Sequence, residues 1–146
     1  MTVAVTADQV AALRAYLAGD FSQYDRLFER LDREAAKTTY AALIDAAFFE
    51  AVDRRFAKDG TVADVIEFVA DIRSRSNRLS DIDARAGERL IRAALGDGSA
   101  EDIDDQTRFG TEIVLLAGLI VDERLDDAGL DRFLADARKL ADSWTA

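Results

Sequence analysis

Every apolar segment of this 146-residue chain repeats with a helical period, and none alternates with period two. That property constrains the fold more than any other. A half-buried strand needs alternation, and a strand also needs a second strand to take its backbone hydrogen bonds. The nine-residue run Ile113 to Val121 is rich in β-branched residues, but no other segment can pair with it. It therefore reads as a buried helix.

Capping residues divide the chain into helices. Thr6-x-x-Gln9 is a capping box and Gly19 a stop, which predicts a helix over about 7–18 with Val10, Leu13 and Leu17 on one face. A second helix starts near Asp20 or Ser22, with Tyr24, Leu27, Phe28 and Leu31 as a one-sided stripe. The weakly patterned stretch Asp32 to Thr39 predicts a bend or break. The next helix, about 39–58, carries Ala41, Ile44, Phe48, Val52 and Phe56, widened by Leu43, Ala47 and Ala51. It is apolar over so much of its circumference that it belongs in the core. Asp59-Gly60 ends it.

Thr61-x-x-Asp64 opens a helix over about 62–75, with Val62, Val65, Ile66, Val69 and Ile72 inward. Asn77 to Ser80 reads as a loop. Asp81 or Asp83 caps a helix over about 83–95, with Ala86, Leu90, Ile91, Ala94 and Leu95 inward and Gly96 as its stop. An acidic loop, Gly96 to Asp105, precedes a helix over about 106–123. Asp126 or Asp127 caps the last helix, about 127–143, with Leu130, Phe133, Leu134, Ala137 and Leu140 inward. The expected fold is all-α: a compact single-domain helical bundle of about six to seven helices spanning residues 1–146. A chain this size buries roughly 70% of its unfolded surface, so it needs no metal or disulfide to fold.

A faint internal repeat relates residues 52–73 to residues 121–138. Val52-Asp53-Arg54-Arg55-Phe56 is similar to Val121-Asp122-Glu123-Arg124-Leu125, and Phe68-Val69-Ala70-Asp71-Ile72-Arg73 to Phe133-Leu134-Ala135-Asp136-Ala137-Arg138. Both follow a turn with a polar cap, which allows two pseudo-related helical hairpins. The hairpins with Asp-containing turns near 59 and 122 also resemble tellurite-resistance-type helical proteins. In that pattern Asp-Gly is followed at a fixed distance by Glu. Here Ile66 and Gly129 stand at that distance, so the resemblance assigns neither a family nor a site residue.

Histidine and cysteine are absent. Their absence excludes Ser-His-Asp chemistry, a thiol nucleophile, disulfides and the usual zinc sites. No glycine-rich loop carries the Lys of a phosphate-binding loop. The stretch Ala57 to Val62 looks like a calcium loop around Gly60, but Arg55, Ala57 and Ile66 stand where ligands are needed. The acidic loop fails likewise, with Asp102 at the glycine position and Arg108 at the twelfth. Glu67 and Asp71 share a helix face but have no Glu-x-x-His partner. Asp45 is the one charged residue between Thr39 and Glu50; it reads as a surface or Arg-paired acid, with a buried, functional carboxylate as the alternative.

The net charge of −10 argues against affinity for nucleic acid or an anionic membrane. Residues 96–146 hold thirteen acids and five bases, so most of the net charge lies there. The opposite feature is the cluster Arg73, Arg75, Arg78, Arg85, Arg89 and Arg92. Arg85, Arg89 and Arg92 fall on one helix face, where guanidinium groups can grip carboxylates or phosphates. Candidate partner-binding residues are therefore Arg85, Arg89 and Arg92 with Glu101, Asp102, Asp104 and Asp105 of the acidic loop. The acids can belong to the same chain, as an internal clasp, or to a second copy, as a salt-sensitive homodimer. Met1 to Thr6 has neither a basic region nor an apolar core, so it does not read as a signal peptide. The expectation is a cytoplasmic, non-enzymatic protein-protein interaction module without a cofactor. One alternative is a small-ligand or metal-binding helical domain using carboxylates, and another is an acidic immunity- or antitoxin-like protein.

Overall fold

Side-chain caps set the helix starts. The computed structural model describes residues 4–58, 60–75 and 82–145. Asp59, the loop Asn77 to Ser80 with Arg78, and the alternative cap Asp81 lie outside the described residues. Where the structure is described, its regular elements are helical: α1 (Ala7–Leu17), α2 (Phe21–Glu29), a short α3 (Arg33–Ala35), a π-helical turn (Ala36–Tyr40), α4 (Ala41–Phe56), α5 (Val62–Ser74), α6 (Ala84–Ala94), α7 (Asp105–Glu123) and α8 (Asp127–Thr145). Seven of these helices have nine residues or more, so the all-α bundle is as expected.

Both predicted capping boxes form. Thr6 Oγ1 accepts from Gln9 N and Gln9 Oε1 accepts from Thr6 N; Thr61 and Asp64 do the same at α5. Asp83 caps α6 through two backbone N–H groups. Gly19, at φ +80°, and Gly96, at φ +84°, close α1 and α6 in the left-handed conformation that glycine adopts without penalty. The break expected between 32 and 39 is a π-turn. At its start the hydroxyls of Thr38 and Thr39 both donate back to the Ala35 carbonyl, a local bond that competes with the regular helical ladder.

The packing divides into two units. One holds residues 1–47 and 123–146, and the other holds 48–122. In the first, the largest fully buried side chains are Leu13, Leu43, Phe133 and Leu134, each contributing roughly 1.5–3 kcal/mol on burial. Val5 is pinned there: its N–H donates to Asp142 and its carbonyl accepts from Arg138. Arg14 of α1 reaches Asp131 of α8 at 2.6 Å. In the second unit Val52, Val65, Val69, Ile91, Leu115 and Leu116 are fully buried. Glycine permits close approach between helices at Gly87 and Gly118. A Cβ on Gly87 would lie 3.3 Å from Val69, and one on Gly118 would overlap Ile72.

Several inward assignments change. On α5, Phe68 replaces Val62 and Ile66, which are 49% and 46% exposed. The apolar stripe is wider than the contact, and the bulkier ring takes the buried sector. On α6 the buried residues are Gly87, Leu90 and Ile91, while Ala86, Ala94 and Leu95 are half-buried. On α7 the buried face begins at Thr111 and Glu112, and Val121 at the far end of the apolar run is 60% exposed. Gln9, rather than Val10, turns inward on α1. Burial agrees in part between the two similar segments. Phe68, Val69 and Ile72 are buried like Phe133, Leu134 and Ala137, whereas Val52 is buried and its counterpart Val121 is not.

Candidate interaction surfaces

The Arg face of α6 is largely occupied by its own chain. Arg89 donates to both carboxylate oxygens of Asp102 and, at 2.9 Å, to the Ser99 carbonyl. Arg92 donates through Nε and Nη2 to Asp97 at 3.0 and 2.8 Å. The clasp follows from the helix stop at Gly96, which reverses the chain so that Asp97 to Asp102 runs back beside the last turns of α6. The bond from Arg89 lowers the pKa of Asp102 and raises that of Arg89. Arg85 is exposed, and none of the described ion pairs includes it. Of the other predicted acids, Asp104 is hydrogen-bonded by the Thr107 side chain and by Thr107 N, which together hold its pKa below the usual range, and Asp105 begins α7. Glu101, Asp104 and Asp105 are all exposed. A hollow of about 260 Å³ lies between Arg89, Arg92 and Asp97 to Ser99.

A larger groove, about 410 Å³, runs beside α5. Asp64, Glu67 and Asp71 line it at successive turns, and Phe56 and Phe68 form an edge-to-face pair 5.8 Å apart at its floor. The groove already holds a cation. The Arg55 guanidinium lies 5.6 Å from the Phe68 ring and 3.7 Å from Asp122. Arg75 bridges Asp71 and Asp122 at 2.7 and 2.9 Å.

The third surface is α2, which packs on α1. Its stripe is strongly one-sided, yet none of its residues is buried. The rear of the stripe rests on an aromatic chain. Tyr16 meets Phe21 at 5.4 Å and Tyr24 at 5.1 Å; Phe28 meets Tyr24 at 5.6 Å and Tyr40 at 6.1 Å. Tyr40, delivered by the π-turn, is buried, and its hydroxyl is closed off from solvent. Burial raises the pKa of all three tyrosines, most strongly Tyr40, whose hydroxyl is also raised by its neighbour Tyr24. The front of the stripe stays open, with Phe21 and Phe28 each 44% exposed. The amphipathic stripe was visible in the sequence, but its incomplete burial was not.

Asp45 is half-buried on α4. Glu112 is buried and lies 3.6 Å from Arg108, one turn back; the apolar run that follows it hid this acid from sequence reading. Among the described residues, no three acids converge as a metal site would require, and no helix is long and apolar enough to cross a membrane. In comparisons with known proteins, no family model, curated protein or solved structure matches this chain.

Proposed function

We propose that this chain is a non-enzymatic protein-protein interaction module of the cytoplasm, and that it docks through the Phe21–Phe28 edge of α2. The observation that carries this reading is a helix with a strong apolar stripe, seated on Tyr16 and Tyr40 at the rear, that leaves two phenylalanines 44% exposed. Exposed aromatic side chains held rigidly from behind are effective anchors, because little conformational freedom is lost when a partner covers them. The Arg face of α6 is a weaker candidate, since Arg89 and Arg92 already have carboxylate partners in the same chain.

Affinity capture with wild type and with Phe21→Ser/Phe28→Ser tests the reading. A protein retained by wild type and lost from the double variant supports it; equal retention sinks it. The alternative of a carboxylate metal site rests on Asp45 and the acidic loop. It requires EDTA to lower the melting temperature and Ca²⁺ or Mg²⁺ to restore it. The interaction reading expects no change. An immunity- or antitoxin-like role is a special case, in which an acidic surface covers a basic site.

A further inference from the structure

We propose that the α2 edge receives a basic amphipathic helix from a partner protein. This rests on the reading of α2 as the docking edge and adds the chemistry of what docks there. Phe21 and Phe28 are two turns apart and about 20° apart around the helix axis. Asp25 lies on the same side, about 40° from Phe21, and Glu29 about 80° from it. Arg26 and Arg30 lie at about 140° and 180°, on the far flank. On α2 itself, the charged residues nearest the exposed aromatic pair are therefore carboxylates. Asp25 and Glu29 are both exposed, and none of the described ion pairs uses either. Two anchors two turns apart match the i, i+7 spacing of apolar residues on an approaching helix. Carboxylates along the rim match Lys or Arg flanking those residues.

Charge also selects against a second copy. An antiparallel twofold pairing of α2 edges is centred midway between Phe21 and Phe28, next to Asp25. It would bring the Asp25 carboxylates of two copies together, with Glu29 close by. Like charges at a closing apolar contact oppose it. An anionic lipid surface meets the same repulsion. A cationic apolar helix does not.

The probe is a labelled Leu/Lys amphipathic peptide of about 14 residues, with a Leu/Glu peptide of the same pattern as its control. Binding is read by fluorescence anisotropy at low and high salt. The Lys peptide is expected to bind and the Glu peptide not to bind. Phe21→Ser/Phe28→Ser should weaken binding by about tenfold or more. Asp25→Asn/Glu29→Gln, at exposed positions that leave the fold intact, should weaken it several-fold and flatten its salt dependence. Asp53→Asn/Asp136→Asn, at exposed acids on α4 and α8, should leave it unchanged. Equal binding of both peptides, no binding of either, or a loss from Asp53→Asn/Asp136→Asn as large as that from Asp25→Asn/Glu29→Gln would overturn the proposal. So would a wild-type dimer in sedimentation that Phe28→Ser dissolves. If a captured protein depends on the two phenylalanines but is neither released by salt nor displaced by the Lys peptide, docking at α2 stands and the basic helix does not.

Discussion

Gln9 ties the start of α1 to the π-turn thirty residues later, and removing it has a calculable cost. Its side chain is 1% exposed; Nε2 donates to Thr39 Oγ1 at 2.8 Å, and Oε1 accepts from Thr6 N at 3.1 Å. Gln9→Met keeps the length and bulk of the side chain and loses both bonds. Each lost neutral hydrogen bond costs about 1 kcal/mol. The groups left behind are not stranded: Thr6 is exposed to water, and Thr39 Oγ1 still donates to the Ala35 carbonyl at 3.0 Å. The expected loss is therefore about 1.5–2 kcal/mol. Thr39→Val is different, because it leaves the Gln9 amide buried without its acceptor, at about 1–3 kcal/mol. In the double variant neither side chain keeps an orphaned polar group there. Its loss should fall short of the sum of the single losses by about 1 kcal/mol or more. Urea denaturation followed by far-UV circular dichroism measures all four proteins. Additivity within about 0.3–0.5 kcal/mol would refute this account of the Gln9–Thr39 bond.

Three further outcomes follow from the same structure. The tyrosines have folded pKa values raised by burial, so above pH ~10 the unfolded chain binds fewer protons than the folded one and stability falls as pH rises. Below pH ~10 this contribution is fully present; an absorbance titration should show tyrosinate appearing together with unfolding, and free titration at pH ~10 in the folded protein would contradict it. Leu116→Asp and Phe48→Asp, at positions 0% and 2% exposed, should each abolish the cooperative melt, because a charge would be buried without a partner. A wild-type transition in both variants would place the core elsewhere. Replacing Arg85, Arg89 and Arg92 by Gln should barely move the melting temperature but should speed amide exchange across residues 97–102, since Arg89 and Arg92 hold that loop. Unchanged exchange would mean that the loop is held by its backbone alone. If the wild type sediments as a salt-sensitive dimer that the triple variant loses, the acidic partner of this face is another copy rather than its own loop.

Local chemistry was legible in the sequence wherever a short stretch of chain was enough to satisfy itself. The capping boxes at Thr6 and Thr61, the stops at Gly19 and Gly96 and the helical period of each segment depend on neighbours within a turn or two, and all formed as the residues imply. The Arg89–Asp102 clasp was partly legible for the same reason, since only thirteen residues separate its ends. What a periodic pattern cannot convey is which part of an apolar stripe finds another surface. Val62, Ile66 and Val121 have the pattern of core residues and are exposed, while Gln9 and Glu112 do not and are buried. A stripe records how much of a helix is able to be buried. The extent that is buried depends on the shape and reach of elements distant in the chain, such as the π-turn that brings Tyr40 against Phe28 and Thr39 against Gln9. The open edge of α2, on which the proposed function stands, was therefore decided by tertiary structure alone: the sequence determines that Phe21 and Phe28 lie on one face, and only packing determines that both rings stay 44% exposed.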